Sequence, residues 1–574
     1  MTLTRERPVR RRKLPGAAAV AGLSGLDPVL ARLYAARGIS AEAELDLTLQ
    51  RLAPVRTLTG VDGAVAVLMR SRRRRIIVIG DFDVDGATST ALVVRCLRDF
   101  GFADVDYLVP NRFEYGYGLT PEIVRVAAGM SPALLLTVDN GVSSLEGVAE
   151  ARSLGIEVVI TDHHLPGVDL PEAAAIVNPN LAGSTFGSPN LAGVGVAFYV
   201  MAALGKALQR EGQQEAARIP ARYLDLVALG TVADVVRLDQ NNRILVTQGL
   251  RRIRAGSCVA GIRALLAVAG RHQERVSSTD LGFAVGPRLN AAGRLEDMSV
   301  GIECLLTDDA DSAMRSAEAL DRINHERRDI ESSMRDQAFA FIDRLDEEGL
   351  PGCVCVYDQS WHQGVVGLIA SRVKERCHRP VIAFAREQDG QLKGSARSVP
   401  GIHIRDLLEA ISTVRPGLVP KFGGHAMAAG LSLPAAHLEE FKVLACEQLS
   451  RLYPQADFSG VLLSDGALPA SSMNLDFARL LRDGGPWGAG FPEPLWCGDF
   501  ELIEQRIVGG LHLKLKVRPL DGESQLDAIA FNQASAAFRG SVRMAYRLDV
   551  NQWRGVESPQ LVVEQISRLA SQTT

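Results

Sequence analysis

Three apolar, β-branched segments in the first 165 residues each run directly into side chains able to hold a metal ion. Ile76-Ile77-Val78-Ile79 leads to Asp81-Phe82-Asp83-Val84-Asp85-Gly86. Leu134-Leu135-Leu136-Thr137-Val138 leads to Asp139-Asn140-Gly141, and Val158-Val159-Ile160 leads to Thr161-Asp162-His163-His164. Short apolar runs separated by helical stretches read as buried parallel strands. In an open parallel sheet the C-terminal strand ends share one rim, and ligands bind in the crevice there. The pattern therefore constrains the chain to an α/β sheet that delivers five carboxylates and two imidazoles to one place. It points to a divalent-metal site and to phosphoester hydrolysis.

A chain of 574 residues holds several domains on the usual size scale. The patterning divides it into a small helical lead-in (1–60), a first α/β region (61–308), one long connecting helix (309–345), a second, smaller α/β region (346–454) and an all-β module (455–574). The helix is read from Ala313, Ala317, Leu320, Ile330, Met334, Ala338 and Phe341 at helical spacing, with few breakers. A net charge of −4 gives no global electrostatic case for nucleic acid, although the positive charge is mostly Arg and unevenly spread. No apolar run reaches the length of a membrane span. The basic stretch Arg5 to Lys13, followed by the Ala- and Gly-rich Gly16 to Leu26, imitates a secretory signal. Its apolar part is weak and continues into Pro28-Val29-Leu30-Ala31-Arg32-Leu33-Tyr34, which reads as a docking helix. The eight cysteines form no CxxC pair, and Cys353 and Cys355 alternate along a strand-like core segment. A reduced, cytoplasmic protein is expected.

Asp81, Asp83 and Asp85 lie two apart, so in an extended segment they face one side, and Gly86 permits a tight turn. A calcium loop of the D-x-D-x-D-G kind is excluded, because Leu92 stands where its distant Glu is required. Two histidines directly after Asp162 at a strand end can both reach one cavity. Mixed carboxylate and imidazole ligands suit Mn²⁺, or Mg²⁺ with retained waters, and there are enough of them for two ions about 4 Å apart.

Asp83-Val84-Asp85-Gly86, Asp139-Asn140-Gly141, Asp162-His163-His164 and Thr231-Val232-Ala233-Asp234 resemble the four ordered motifs of the DHH phosphoesterase superfamily. Within it, the segments 111–118, 286–294 and 421–430, and Trp487 to Pro494, resemble the RecJ family of single-stranded-DNA exonucleases, from about residue 25 to near the C-terminus. Phe82 replaces a usual Tyr, and Arg237 stands where Pro is common; neither removes a ligand. The resemblance implies a parallel-sheet DHH domain, a connecting helix, an α/β DHH-associated domain and an OB-like barrel. By motif it makes Asp83, Asp85, Asp139, His163 and Asp234 metal ligands for two ions, Mn²⁺ or Mg²⁺, with Asp139 bridging. Asp85 would also take part in catalysis. His164 would stabilise charge or donate a proton near the scissile phosphate, and Asp81 would coordinate or orient a neighbour. Asp225, within an apolar helix, is the rival to Asp234 and reads as structural.

Arg112, Arg288 and Arg294 lie in segments rich in Gly and Asn that read as loops, where guanidinium forks can grip phosphate. The resemblance implies a pocket for a 5′ end, to which Ser89 and Asn290 would contribute. In the second lobe Ser395, Arg397, His403, Gly423, Gly424 and His425 resemble substrate-binding motifs, and a Gly-Gly-His turn would offer free N–H groups. In the barrel, Trp487, Phe491, Lys514, Lys516, Arg518 and Trp553 are candidates for stacking and backbone contacts. The expected activity is metal-dependent 5′-to-3′ exonucleolysis of single-stranded DNA to mononucleotides, in repair and recombination. A narrow cleft between the lobes would exclude duplex. The expected partner is single-stranded DNA, with room for a helicase and a single-strand-binding protein; neither a membrane nor an oligomer is expected. Two alternatives remain open here: a nanoRNA or cyclic-dinucleotide phosphodiesterase of the same superfamily, and a non-catalytic DHH scaffold.

Overall fold

In the computed structural model of the protein, which describes residues 6–110, 118–387, 390–534 and 538–569, each of the three apolar runs is a fully or almost fully buried strand. They are β1 (Arg75–Ile79), β3 (Leu134–Val138) and β4 (Glu157–Thr161), joined by β2 (Asp104–Leu108) and β5 (Ala175–Val177). All neighbours pair in parallel, in the order β2-β1-β3-β4-β5. The order reverses between β1 and β3, and at such a switch point the flanking loops part and leave a crevice beyond the strand ends. Helix α1 (Val84–Asp99) packs against the sheet and is buried from Val84 to Leu97, because its small and apolar residues leave no polar face. Helices α2 (Gly193–Arg210), α3 (Leu224–Ala233) and α4 (Gly286–Leu295) complete the surroundings of the crevice.

Helix α5 runs without interruption from Ala310 to Glu348, as the spacing of its apolar residues predicts. Beyond it, β6 (Val354–Tyr357), β7 (Val381–Arg386), β8 (Gln391–Arg397), β9 (Lys421–Gly424) and β10 (Ala428–Pro434) form a mixed sheet in the order β9-β10-β8-β7-β6. Cys353 and Cys355 are buried in its core. The tail is a closed barrel of β11 (Trp496–Val508), β12 (His512–Pro519), β13 (Leu526–Ala530), β14 (Ser541–Trp553) and β15 (Val556–Arg568), in the order β11-β12-β13-β15-β14. The chain divides into two compact units, one mainly of His325–Leu462 and the other of Arg11–Asn324 together with Leu463–Thr574. The barrel thus belongs to the same unit as the first sheet.

The lead-in is less helical than expected. It holds a short strand, Val9–Arg11, and the helices Ala17–Ala21 and Pro28–Ala35, but then only single turns at Glu42–Leu45, Leu49–Arg51 and Val55–Thr57. Pro54 and Gly60 interrupt the segment before a longer helix can gather. Its docking role is built on Tyr34 and Arg37. Tyr34 stacks with Trp487 and Phe491, at 6.2 Å from each ring, and donates to the Gly484 carbonyl. Arg37 forms a two-pronged pair with Asp465, at 3.0 Å on both oxygens, and donates to the Pro492 carbonyl. Among the described residues no single helix is long and apolar enough to cross a membrane.

Candidate metal centre

The rim of the first sheet collects the acidic and imidazole groups. Asp83 caps α1 and accepts from the Gly86 N–H at 3.0 Å, which turns the Asp81–Asp85 segment from strand into helix. Asp85 points instead to the start of α2: its two oxygens accept from the N–H groups of Gly193 (2.6 Å) and Val194 (2.9 Å). The unsatisfied N–H groups of a helix start favour a carboxylate. Asp139 has left-handed backbone, φ 61°, which aspartate tolerates better than most residues. A methyl group on Gly193 would lie 2.5 Å from its Oδ1, so only glycine lets the helix come this close. Asn140 donates to the carbonyls of Ile79 and Val138 and so ties the ends of β1 and β3 together.

His163 stands at the middle. Its Nε2 lies 3.1 Å from Asp139 Oδ1, 3.5 Å from Asp234 Oδ2 and 4.0 Å from Asp85 Oδ2. Three sets of ligand atoms each converge within 4.8 Å: Asp139 with His163 and His164, Asp85 with His163 and Asp234, and Asp81 with Asp83 and Asp139. Asp139 and His163 are each shared between two sets, a geometry suited to a pair of cations. Burial and the neighbouring Asp234 carboxylate raise the pKa of Asp85 to about 7. Burial and Asp83 raise that of Asp234 to about 7. Burial, then Asp85, pushes Asp139 well up. Burial and the charge of His164 lower His163. A neutral imidazole nitrogen therefore faces carboxylate oxygens, and neither His163 Nε2 nor Asp234 Oδ2 makes a hydrogen bond among the described residues. Buried carboxyl groups crowded around an imidazole resist ionising without a cation among them, so these residues fit a divalent metal.

His164 differs from its neighbour. Burial works against its charged form, but the hydrogen bond of its Nδ1 to Asp162 Oδ1, at 2.7 Å, outweighs this and raises its pKa to about 9. Burial pushes the Asp162 carboxyl up, but His164 prevails and holds it below the usual range. Asp162 also accepts from the N–H groups of His163, His164 and Val142. Asn178 and Asn180 donate to the carbonyls of His164 and His163. Asp162, Asn178 and Asn180 were not singled out among the site residues by sequence reasoning; Asn178-Pro179-Asn180 follows directly on β5, at the same rim, which is the signal available for it. Asp225 is fully buried away from the cluster and accepts from the Val259 N–H at 2.7 Å.

The phosphate-gripping residues depart from expectation in several ways. Arg288 and Arg294 lie in helix α4, not in a loop: Gly286-Pro287 starts the helix with a residue whose missing N–H costs nothing there, and the alanines continue it. Arg288 is buried and spends its guanidinium on Asp321 (2.8 Å) and on the Ala284 carbonyl (2.7 Å). Gly293 lets α4 touch the Asp81–Asp85 turn, since a methyl group there would meet the Phe82 carbonyl oxygen. Asn290 is half-buried on the same helix. Ser89 is sealed inside α1, so a substrate contact is closed to it in this conformation. Arg112 lies outside the described residues.

In the second unit, Ser395 and Arg397 face one side of β8 and pack against Gly367, where a methyl group would lie 2.9 Å from Ser395 Oγ. Gly423 and Gly424 are not a free turn but the end of β9, paired with Gly430 and Ala429, and the His425 N–H is taken by the Ala428 carbonyl. The reason is that the glycines allow β9 to close against β10. His403 caps the helix Ile404–Val414 and approaches Asp406 Oδ1 at 2.9 Å. In the barrel region, Trp487 and Phe491 form the stacked cluster with Tyr34, Phe491 buried and Trp487 half-buried. Lys514 pairs with Asp527, and Arg518 with Glu501. Lys516 stays on the barrel surface, and Trp553 is 70% exposed.

Family models described as "DHH family, N-terminal domain", "DHHA1 domain" and "RecJ OB domain" match residues 75–231, 350–451 and 464–565. The chain is similar to the single-stranded-DNA-specific exonuclease RecJ of Escherichia coli, 52% identical over 553 residues, which cover 94% of this chain and 96% of the relative. The RecJ of Salmonella typhimurium is 50% identical over 576 residues, covering 98% of this chain and 100% of the relative. This chain belongs to the RecJ family. Among solved structures, RecJ from Thermus thermophilus in complex with Mn²⁺ superposes with a TM-score of 0.82 at 30% identity, covering 98% of this chain and 80% of that one. The same RecJ in complex with Mg²⁺ gives 0.76 at 29% identity, with 98% and 78% covered. The closed barrel and the two sheets described above are the architecture of that family.

Proposed function

We infer that the chain is a single-stranded-DNA-specific exonuclease that hydrolyses phosphodiesters with two divalent cations, Mn²⁺ or Mg²⁺. The observation that carries this reading is the convergence of Asp85, Asp139, His163 and Asp234 at the sheet's switch point. Two cations there would supply an activated water and neutralise charge on the phosphorus centre. In this reading Asp83, Asp85, Asp139, His163 and Asp234 would hold the ions, with Asp81 close to Asp83 and Asp139. Asp85 is kept in place by the α2 start, and its orientation does not depend on the ions. His164, charged below about pH 9, offsets negative charge on the leaving oxygen or donates to it. Asp162 is the residue that keeps it charged.

An Asp162→Asn variant is expected to lose about 10- to 100-fold in kcat while the ligands stay in place. Without that carboxylate His164 returns toward the ordinary imidazole range. The alkaline limb of the rate profile then moves from near pH 9 to lower pH, and an unmoved limb would rule out this role.

Substrate preference follows from family membership: 5′-to-3′ removal of mononucleotides from single strands during repair and recombination. The phosphate contacts assigned to Arg112, Asn290, Arg294, Ser395, Arg397, His403, Gly424 and His425 belong to the same proposal, as do a cytoplasmic location, a monomeric state and cooperation with a helicase and a single-strand-binding protein. The divisions at residues 60, 308, 345 and 454 are proposed as working domain limits. Digestion of 5′- and 3′-labelled single strands with Mn²⁺, beside blunt and 5′-tailed duplex, tests the reading. We expect mononucleotides from the 5′ end of single strands and of tailed duplex, and far slower attack on blunt duplex. Equal rates on all three would overturn it.

A further inference from the structure

Among the described residues, six other than glycine adopt a positive φ, and Val235 (φ 62°) is the β-branched one. That conformation crowds a branched side chain against its own backbone. Glycine or asparagine would take it with less strain. The turn is fixed from both sides: the Val235 N–H donates to the Val232 carbonyl (3.3 Å), Leu238 N–H to that of Ala489 (2.8 Å), and Asn242 Nδ2 to that of Arg237 (2.9 Å). Valine brings little packing in compensation, because the residue is 69% exposed. The residue directly follows Asp234, whose carboxylate lies 3.5 Å from His163. A strained, uncovered apolar group therefore stands one residue from the metal centre. In the free protein only the turn's hydrogen bonds offset its strain.

We propose that Val235 is a substrate-positioning residue: its isopropyl group packs on the sugar-and-base face of the nucleotide whose phosphate lies at the acidic cluster. This rests on the exonuclease reading above. Contact with a nucleoside supplies the burial that the fold withholds, and it holds the strand end at the cluster without a charge.

The test compares wild type with Val235→Gly, Val235→Asn and Val235→Ile on a short 5′-phosphorylated oligothymidylate. Losing the burial of an isopropyl group should raise KM about tenfold in the Gly and Asn variants, with kcat within about twofold. Their melting temperatures should equal or exceed that of wild type, and Mn²⁺ affinity by calorimetry should not change. Binding of the same strand in EDTA, followed by fluorescence anisotropy, should weaken in parallel with KM. Val235→Ile should keep the wild-type KM. An unchanged KM and unchanged strand binding in both the Gly and Asn variants would overturn the proposal, as would a fall in Mn²⁺ affinity that tracks the rise in KM, since the residue would then act only by orienting Asp234. Inactivity of wild type itself on single strands would instead overturn the underlying exonuclease reading.

Discussion

Asp139→Asn is expected to lower single-strand hydrolysis by about 10³-fold or more, on the scale of removing a principal electrostatic contact to a reacting phosphate. The fold should survive. Asparagine accepts the left-handed backbone at φ 61° as readily as aspartate does, and it fits beneath Gly193 where a larger side chain would not. The loss should therefore be one of charge, not of shape. Asp139 is shared by two of the three ligand sets, so the variant should also bind Mn²⁺ more weakly at both positions, seen by calorimetry as a lower affinity or stoichiometry. Single-turnover digestion of a labelled strand measures the rate. A variant with more than about a tenth of wild-type activity, a cost of under about 1.4 kcal/mol, would remove Asp139 from the centre of the mechanism.

Metal-free protein should become less stable as pH rises from about 4 to 9, and Mn²⁺ should offset most of that fall. Asp85 and Asp234 have folded pKa values of about 7, against about 4 in an unfolded chain. Their contribution to stability is complete below pH 4 and is lost as pH passes through 7. His164, raised to about 9, adds a loss of the same sign between about 6.5 and 9. The lowered His163 acts in the opposite sense below the ordinary imidazole range, so it offsets part of the carboxylates' loss there. A bound cation stabilises the ionised carboxylates and adds RT ln(1 + [L]/Kd), about 2.7 kcal/mol at a hundredfold excess over Kd. Melting curves in EDTA and in Mn²⁺ across this range provide the check. Parallel curves with and without metal would show that these carboxylates are not the metal's ligands.

The strands and the acidic rim were legible in the sequence because both are local. An apolar run of five residues declares a buried strand, and its next few residues must lie at the rim whatever the rest of the chain does. What holds the ligands was not legible. Asp85 is fixed by N–H groups 108 residues away in sequence, and Asp162 serves through hydrogen bonds to its own turn, which resemble those of any Asp at a strand end. Glycine content misled at Gly286 to Arg294: there glycines serve close packing of a helix against Phe82, where looseness was read. Trp487 and Phe491 look like a stacking platform in sequence, yet a tyrosine some 450 positions earlier covers them.

That last pairing bears on how the protein is made. Tyr34 and Arg37 have their partners at Gly484, Asp465 and Pro492, so this segment waits for residues synthesised more than 400 positions later before it can settle. It settles through contacts of very high sequence separation, which are slow to form. A chain truncated before Asp465 would leave a helix face and a buried guanidinium without their complements.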